Sequence, residues 1–155
     1  MNFISPTRGE MSLNTMFQDI LAFVAADPEA GYKLIIGSDS HTRDDLCFVT
    51  AVVIHRVGKG ARYYYQRHHQ RRMYSLRQRI YHEASRSLEV ASRLAELLSA
   101  NGSDLNVEIH LDIGQSGETR ELIREIVGMV VGSGFDAKIK PESYGASKVA
   151  DKHSK

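Results

Sequence analysis

Cysteine is nearly missing from this chain. The single thiol, Cys47, excludes an intramolecular disulfide. It lies inside the apolar run Leu46-Cys-Phe-Val-Thr50, where the expected role is core filling. No apolar run approaches the roughly 20 residues needed to span a bilayer, so no membrane partner is expected. The first residues, Met1-Asn-Phe-Ile-Ser-Pro6, lack a charged segment followed by a long apolar one, so no signal peptide is expected. A cytoplasmic location follows as the expectation. Walker A, G-x-S-x-G, CxxC and HExxH patterns are all missing. Internal repeats and low-complexity linkers are missing too.

Acid is also nearly missing from one long stretch. Residues 56–86 hold nine Lys/Arg (Arg56, Lys59, Arg62, Arg67, Arg71, Arg72, Arg77, Arg79 and Arg86) against one acid, Glu83. The formal net charge of +1 therefore divides into +8 here and −7 elsewhere. The same stretch carries His68, His69, His82 and the tyrosines 63, 64, 65, 74 and 81. Clustered cations interleaved with aromatics suit a polyanion whose bases can stack, which makes nucleic acid the expected partner. Arg67, Arg71, Arg72, Arg77 and Arg79 are the candidate contacts. A solvated basic face paired with acids elsewhere is the plainer alternative.

What is present points to a globular protein. The chain has 155 residues, 42% hydrophobic and 25% charged, enough for one domain with its own core. Residues 1–11 read as a loose leader and 12–155 as a single domain. Ser12 or Asn14 can cap a first helix, which runs to about Ala26. Strands follow at Tyr32–Ser38, Cys47–Val57 and Ala61–Arg67, joined by short polar or glycine turns, and short turns imply antiparallel pairing. Apolar residues at 3–4 spacing then mark a helix from Tyr74 to about Ala100, stopped by Asn101-Gly102. A fourth strand at Val107–Asp112, a helix from about Glu118 to Gly132, and a short fifth strand at Ala137–Lys140 complete the series. Ser147–Lys155 can form a last short helix. Strands reached through crossover helices should run parallel to their neighbours. The expected fold is α/β: a mixed five-stranded sheet, three strands antiparallel and two parallel, flanked by helices.

On that frame four carboxylates can meet. Asp39 and Asp112 follow the apolar runs of strands one and four, where parallel pairing would set them side by side. The long helix offers Glu83, Glu89 and Glu96. At ~100° per residue, Glu83 falls roughly 80° from the centre of the apolar stripe, while Glu89 and Glu96 turn to water. Glu83 could equally be an ion-pair partner of Arg79 or Arg86. Asp151 lies on the short C-terminal segment, which could fray. Gathered acids suit hard divalent cations, and Mg²⁺ or Mn²⁺ is the expected cofactor. Asp44 and Asp45 are expected to face solvent. Asp39-x-His41 and His110-x-Asp112 admit a rival reading, a mononuclear transition-metal hydrolase. Lys148 and His153, near Asp151, could orient phosphate. Gly114-Gln-Ser-Gly117, with Thr119 and Arg120, is a weak candidate phosphate turn.

Several motifs resemble the YkuK-like family of ribonuclease H-like proteins. They are Gly37-Ser-Asp-Ser-His-Thr42, Arg56-Val-Gly-Lys-Gly60, His110-Leu-Asp-Ile-Gly114 with Gly117-Glu-Thr-Arg120, and Ile139-Lys-Pro141 through Ser147-Lys-Val-Ala-Asp-Lys-His153. The resemblance covers about residues 13 to 155. It implies a ribonuclease H-like fold, with acids on strand one, the first long helix, strand four and the final helix. Those positions are Asp39, Glu83, Asp112 and Asp151. The activity it implies is a two-metal nuclease hydrolysing phosphodiester bonds. The rival readings are a non-catalytic nucleic-acid-binding module on the same fold, and a domain whose basic stretch meets an acidic protein.

Overall fold

The computed structural model describes residues 1–42, 45–71, 75–115, 117, 119–143 and 145–154, without the side chains of 42, 145, 147, 148, 151 and 154. Asp44, Arg72 and Tyr74 lie outside the described residues, as do the side chains of Lys148 and Asp151. A single sheet runs through the molecule. Its strands are β1 (Asn2–Ser5), β2 (Gly9–Ser12), β3 (Tyr32–Thr42), β4 (Leu46–Arg56), β5 (Ala61–Gln70), β6 (Val107–His110) and β7 (Asp136–Lys138). The helices are α1 (Leu13–Ala25), α2 (Leu76–Ala100), α3 (Ile123–Gly132) and α4 (Gly145–Ser154).

The spatial order is β2-β1-β5-β4-β3-β6-β7. The antiparallel meander β3-β4-β5 and the parallel additions β6 and β7 match the sequence expectation. The strand count does not, being seven rather than five among the described residues. Residues 1–11 are no loose leader: they hold most of the hairpin β1–β2, which joins the sheet through Ile4 opposite Tyr65. Phe3 is fully buried and Met11 nearly so, and this burial seats the hairpin.

Period-2 alternation sorts side chains between two cores. On the front face Leu34, Ile36, Val52, Ile54, Val107 and Ile109 pack with α1, α2 and α3. On the back face Ile35, Val49, Ala51, Val53 and Tyr65 receive Ala146 and Ala150 of α4. Ser12 caps α1 by accepting from the Thr15 amide at 3.1 Å. Ser75 caps α2 by accepting from the Gln78 amide at 3.3 Å, so that helix starts later than periodicity suggested. Gly58 and Gly60 turn β4 into β5 at φ 77° and 98°, where a side chain would be strained. On the front face Asp19 is buried and collects Arg8 at 2.7 Å, Arg62 at 3.3 Å and the Tyr64 hydroxyl.

Candidate acidic site

Asp39 does not end its strand. β3 continues to Thr42 against β4, with Asp39 opposite Val49. What ends is the neighbour on the other flank, because the last parallel pairing is Gly37 with His110. Continued by two residues, that register would set Asp112 beside Asp39. The result is a notch where β6 stops and β3 runs on. α2 supplies Glu83 from the front, and α4 lies over β3 and β4 on the back.

The strand's alternation splits its polar residues between the faces. Ser38 and Ser40 face front with α2. Ser38 Oγ shares hydrogen bonds with Thr50 Oγ1 at 2.9 Å and Ser87 Oγ at 2.8 Å. Ser40 Oγ donates to Glu83 Oε2 at 2.5 Å. Arg79 holds Ser40 in turn, donating from Nη2 to its carbonyl at 3.1 Å and to its Oγ at 3.0 Å. Asp39, half-buried, belongs to the opposite face.

Three of the four expected acids interact. Burial pushes the Glu83 carboxyl up to about 8, and the charges of Asp39 and Asp112 push the same way. The Ser40 hydrogen bond and the Arg79 guanidinium pull it back. Glu89 and Glu96 are exposed, as helical periodicity required. Asp112 is not open: Lys140 Nζ stands 2.8 Å from its Oδ1. Asp151 lies on α4, which is anchored rather than frayed: Ala146 and Ala150 are fully buried, and the His153 ring stacks on Tyr65 at 3.9 Å.

The transition-metal pairs come out differently. His41 sits in β3 opposite Cys47, not in a turn. His110 is buried, its Nε2 lies 3.2 Å from Glu108 Oε2, and desolvation lowers its pKa. Among the described residues, no group of three or more His, Cys, Asp or Glu stands ready to hold a metal. In the glycine turn, the Gly114 amide donates to Thr119 Oγ1 at 3.2 Å, which occupies one expected phosphate donor.

The basic candidates separate. Arg67 is exposed on β5 in the same cross-strand row as Val49 and Asp39, and its Nε donates to the His153 carbonyl at 3.0 Å. Arg71 is exposed just past β5. Arg77 is held by Glu125 at 2.6 Å, away from the notch. Arg79 serves Ser40, as above. His153 is engaged by Tyr63 at 3.2 Å as well as by Tyr65, and desolvation lowers its pKa. Asp45 is exposed, as expected, and Cys47 is half-buried with its thiol pKa raised by desolvation.

Sequence reasoning missed Ser40, taken for a turn residue, and Lys140, taken for the end of a strand. The i, i+2 spacing of Ser38 and Ser40 was the available signal for the first. Nothing local pointed Lys140 at Asp112.

A family model described as "Ribonuclease H-like" matches residues 15–155. The chain is 37% identical to a Bacillus subtilis (strain 168) protein whose printed name is "Uncharacterized protein YkuK", over 99% of this chain and 96% of that one. No solved structure matches. Among the described residues, no helix is long and apolar enough to cross a membrane.

Proposed function

Because this chain belongs to the ribonuclease H-like family, we propose that its notch hydrolyses phosphodiester bonds of nucleic acid in the cytoplasm. Asp39, Glu83, Asp112 and Asp151 would hold Mg²⁺ or Mn²⁺. The donor chemistry fits: hard carboxylate oxygens suit these ions. Burial first, and then the charges of Asp39 and Asp112, raise the Glu83 carboxyl to about 8, a cost that a cation relieves. A bound divalent ion supplies an activated water and charge stabilisation at phosphorus. The rest falls to the chain. Arg79 fixes Ser40, and Ser40 orients the Glu83 carboxyl. Arg67 and Arg71 line the approach along β5, where exposed guanidinium groups suit phosphate.

The carrying observation is geometric: the β3–β6 register, carried on by two residues, leads Asp112 toward Asp39, and Glu83 of α2 bonds Ser40, the next residue of β3. The test is cleavage of RNA, DNA and hybrid substrates under Mn²⁺ by the purified chain and by Asp39→Asn. Cleavage by the parent and a loss of ~100-fold or more in the variant are expected, since even groups that merely support metal ligands cost 10–100-fold. No cleavage by the parent, or equal cleavage by the variant, defeats the proposal.

One observation favours a second reading, a nucleic-acid-binding module without catalysis: Asp112 already carries a cation, Lys140. Under that reading, nucleic acid binds equally with and without chelator, and affinity falls steeply with salt.

A further inference from the structure

Among the described helices, α4 alone covers the back face of the sheet. Beside it the strands leave a cavity of about 510 Å³, within the range of about 300–1,000 Å³ that ligand sites occupy. Strand register sets its floor. Tyr63, Val53, Ile35 and Glu108 form one row across β5, β4, β3 and β6. Ala61, His55 and Lys33 form the row on one side of it, and His110 pairs with Lys138 on the other. Val149 of α4 and Glu142 complete the lining. Asp39, Glu83 and Asp112 do not line it.

The floor changes character from end to end. Ile35 and Val53 pack with Val149 and Tyr63, an apolar slot between sheet and helix. Toward β6 and β7 the lining turns polar around a buried pair, Glu108 and His110. His110 Nε2 lies 3.2 Å from Glu108 Oε2, and a carboxylate only accepts, so Nε2 carries the proton. Desolvation lowers the ring's pKa, and Lys138 and Lys33 add to that against the pull of Glu108. The neutral ring then leaves Nδ1 a bare acceptor, buried and without a partner among the described residues. Native folds rarely leave such an atom unmatched. The Lys33 ammonium stands 4.0 Å from Glu108 Oε1, and both lysines are exposed on the rim.

Each part of this lining selects a part of one ligand. Two ammonium groups suit a phosphate. A bare imidazole nitrogen takes a hydroxyl donor. A flat apolar slot takes a planar body. We propose that the cavity binds a nucleoside monophosphate, with its phosphate on Lys33 and Lys138, a ribose hydroxyl donating to His110 Nδ1, and its base on Ile35 and Val53. A free mononucleotide and the 5′-phosphorylated end of a strand offer this same chemistry. Glu142, exposed on the rim, opposes the phosphate.

The test titrates AMP, adenosine and inorganic phosphate into the full chain in EDTA, which removes any ion able to hold phosphate at the acidic notch. Amide NMR shifts follow binding to the parent, Lys33→Met, Lys138→Met, Glu142→Gln and Lys59→Met, each checked for an unchanged thermal melt. AMP should saturate and move the amides of Lys33, Glu108 and His110, with adenosine and phosphate each binding at least about tenfold more weakly. Lys33→Met and Lys138→Met should each weaken AMP about tenfold, since each removes a charged donor. Glu142→Gln should tighten it, and Lys59→Met, whose ammonium pairs with Asp27, should bind as the parent does. A 5′-phosphorylated trinucleotide that binds more tightly than AMP names the strand end as the source, and one that binds more weakly names the free nucleotide. No saturable AMP binding, equal affinity for adenosine, or unchanged affinity in both lysine variants overturns the proposal. The nuclease reading then still stands, because it rests on other residues.

Discussion

Gly37 has no side chain because α4 lies against it. A Cβ at this position would stand 2.8 Å from Ala146 Cβ and 3.1 Å from the His110 carbonyl oxygen. Neither neighbour is the free end of a flexible side chain, since one roots in a helix and the other is backbone. Two effects oppose each other in Gly37→Ala. Replacing a strand glycine should gain roughly 0.5–1 kcal/mol by restricting the unfolded chain. Overpacking a tight contact should cost about 1–3 kcal/mol. The clash wins, leaving a net loss of about 1.5 kcal/mol. For a chain of this size that lowers Tm by roughly 3–6 °C. Urea denaturation measures the loss, and amide exchange locates it: α4 amides should lose protection before the β3–β4 core does. Ala146→Gly in the same chain should recover part of the loss, because it removes the nearer of the two obstacles. Gly128→Ala is the control. That glycine sits in α3 with nothing within 4 Å of a built Cβ, so alanine should stabilise by about 0.5–1 kcal/mol. If Gly37→Ala is neutral or stabilising, α4 does not dock as described.

Four further tests follow from contacts described above. Asp112→Asn should lower the Glu83 midpoint from about 8, because the Asp112 charge helps to raise it; carboxyl carbon NMR reads this, and an unmoved midpoint would break the convergence of the acids. Across the window from 4.5 to about 8, the folded chain holds a proton on Glu83 that the unfolded chain has released, so this group's contribution to stability falls as pH rises; urea midpoints should show the fall in the parent and its loss in Glu83→Gln. Tyr64→Phe should cost about 1.5–3 kcal/mol by removing a buried donor to a charged acceptor, and Asp19→Ala more, about 3–5 kcal/mol, because Arg62 and Tyr64 are then left without their acid. If single-stranded nucleic acid binds, Arg67→Ala and Arg71→Ala should each flatten the log–log salt dependence by about 0.7, and Arg77→Ala should leave it unchanged.

Long periodic elements were legible from residues alone. The α2 stripe, the β4 run and the meander turns carry strong local patterns, and helical angle alone preferred Glu83 over Glu89 and Glu96. The hairpin β1–β2 was not legible. Its strands have four residues each, and only Phe3 and Met11 reveal a buried face, which matters once β5 is beside them. Strand ends were also misjudged where polarity was taken for solvent. Ser40 looks like turn chemistry, yet its hydroxyl donates to Glu83 beneath α2, beside the Ser38, Thr50 and Ser87 hydroxyls that satisfy one another. Buried hydroxyls with partners cost little, so polarity alone could not end the strand. Lys140 lay beyond reach for another reason: its partner is 28 positions away in sequence, and only the β6–β7 pairing brings the two together.

The basic stretch shows how charge along a sequence differs from charge on a surface. Arg56 and Lys59 both turn to Asp27, at 4.0 and 3.1 Å. Arg62 goes to Asp19 and Arg77 to Glu125. Arg86 donates to Gln66 at 3.0 Å, and Arg79 braces Ser40. The acids in these pairs come from the −7 remainder, so four of the nine cations are paired with acids of other elements. Among the described residues of the stretch, Arg67 and Arg71 are the cations both exposed and near the Asp39 end of the sheet. A polyanion guided by them arrives along β5, in the row that runs from Arg67 through Val49 to Asp39. An acidic notch repels phosphate unless cations receive it first. Two arginines on the approach provide that reception, which is why they should govern the salt dependence of binding.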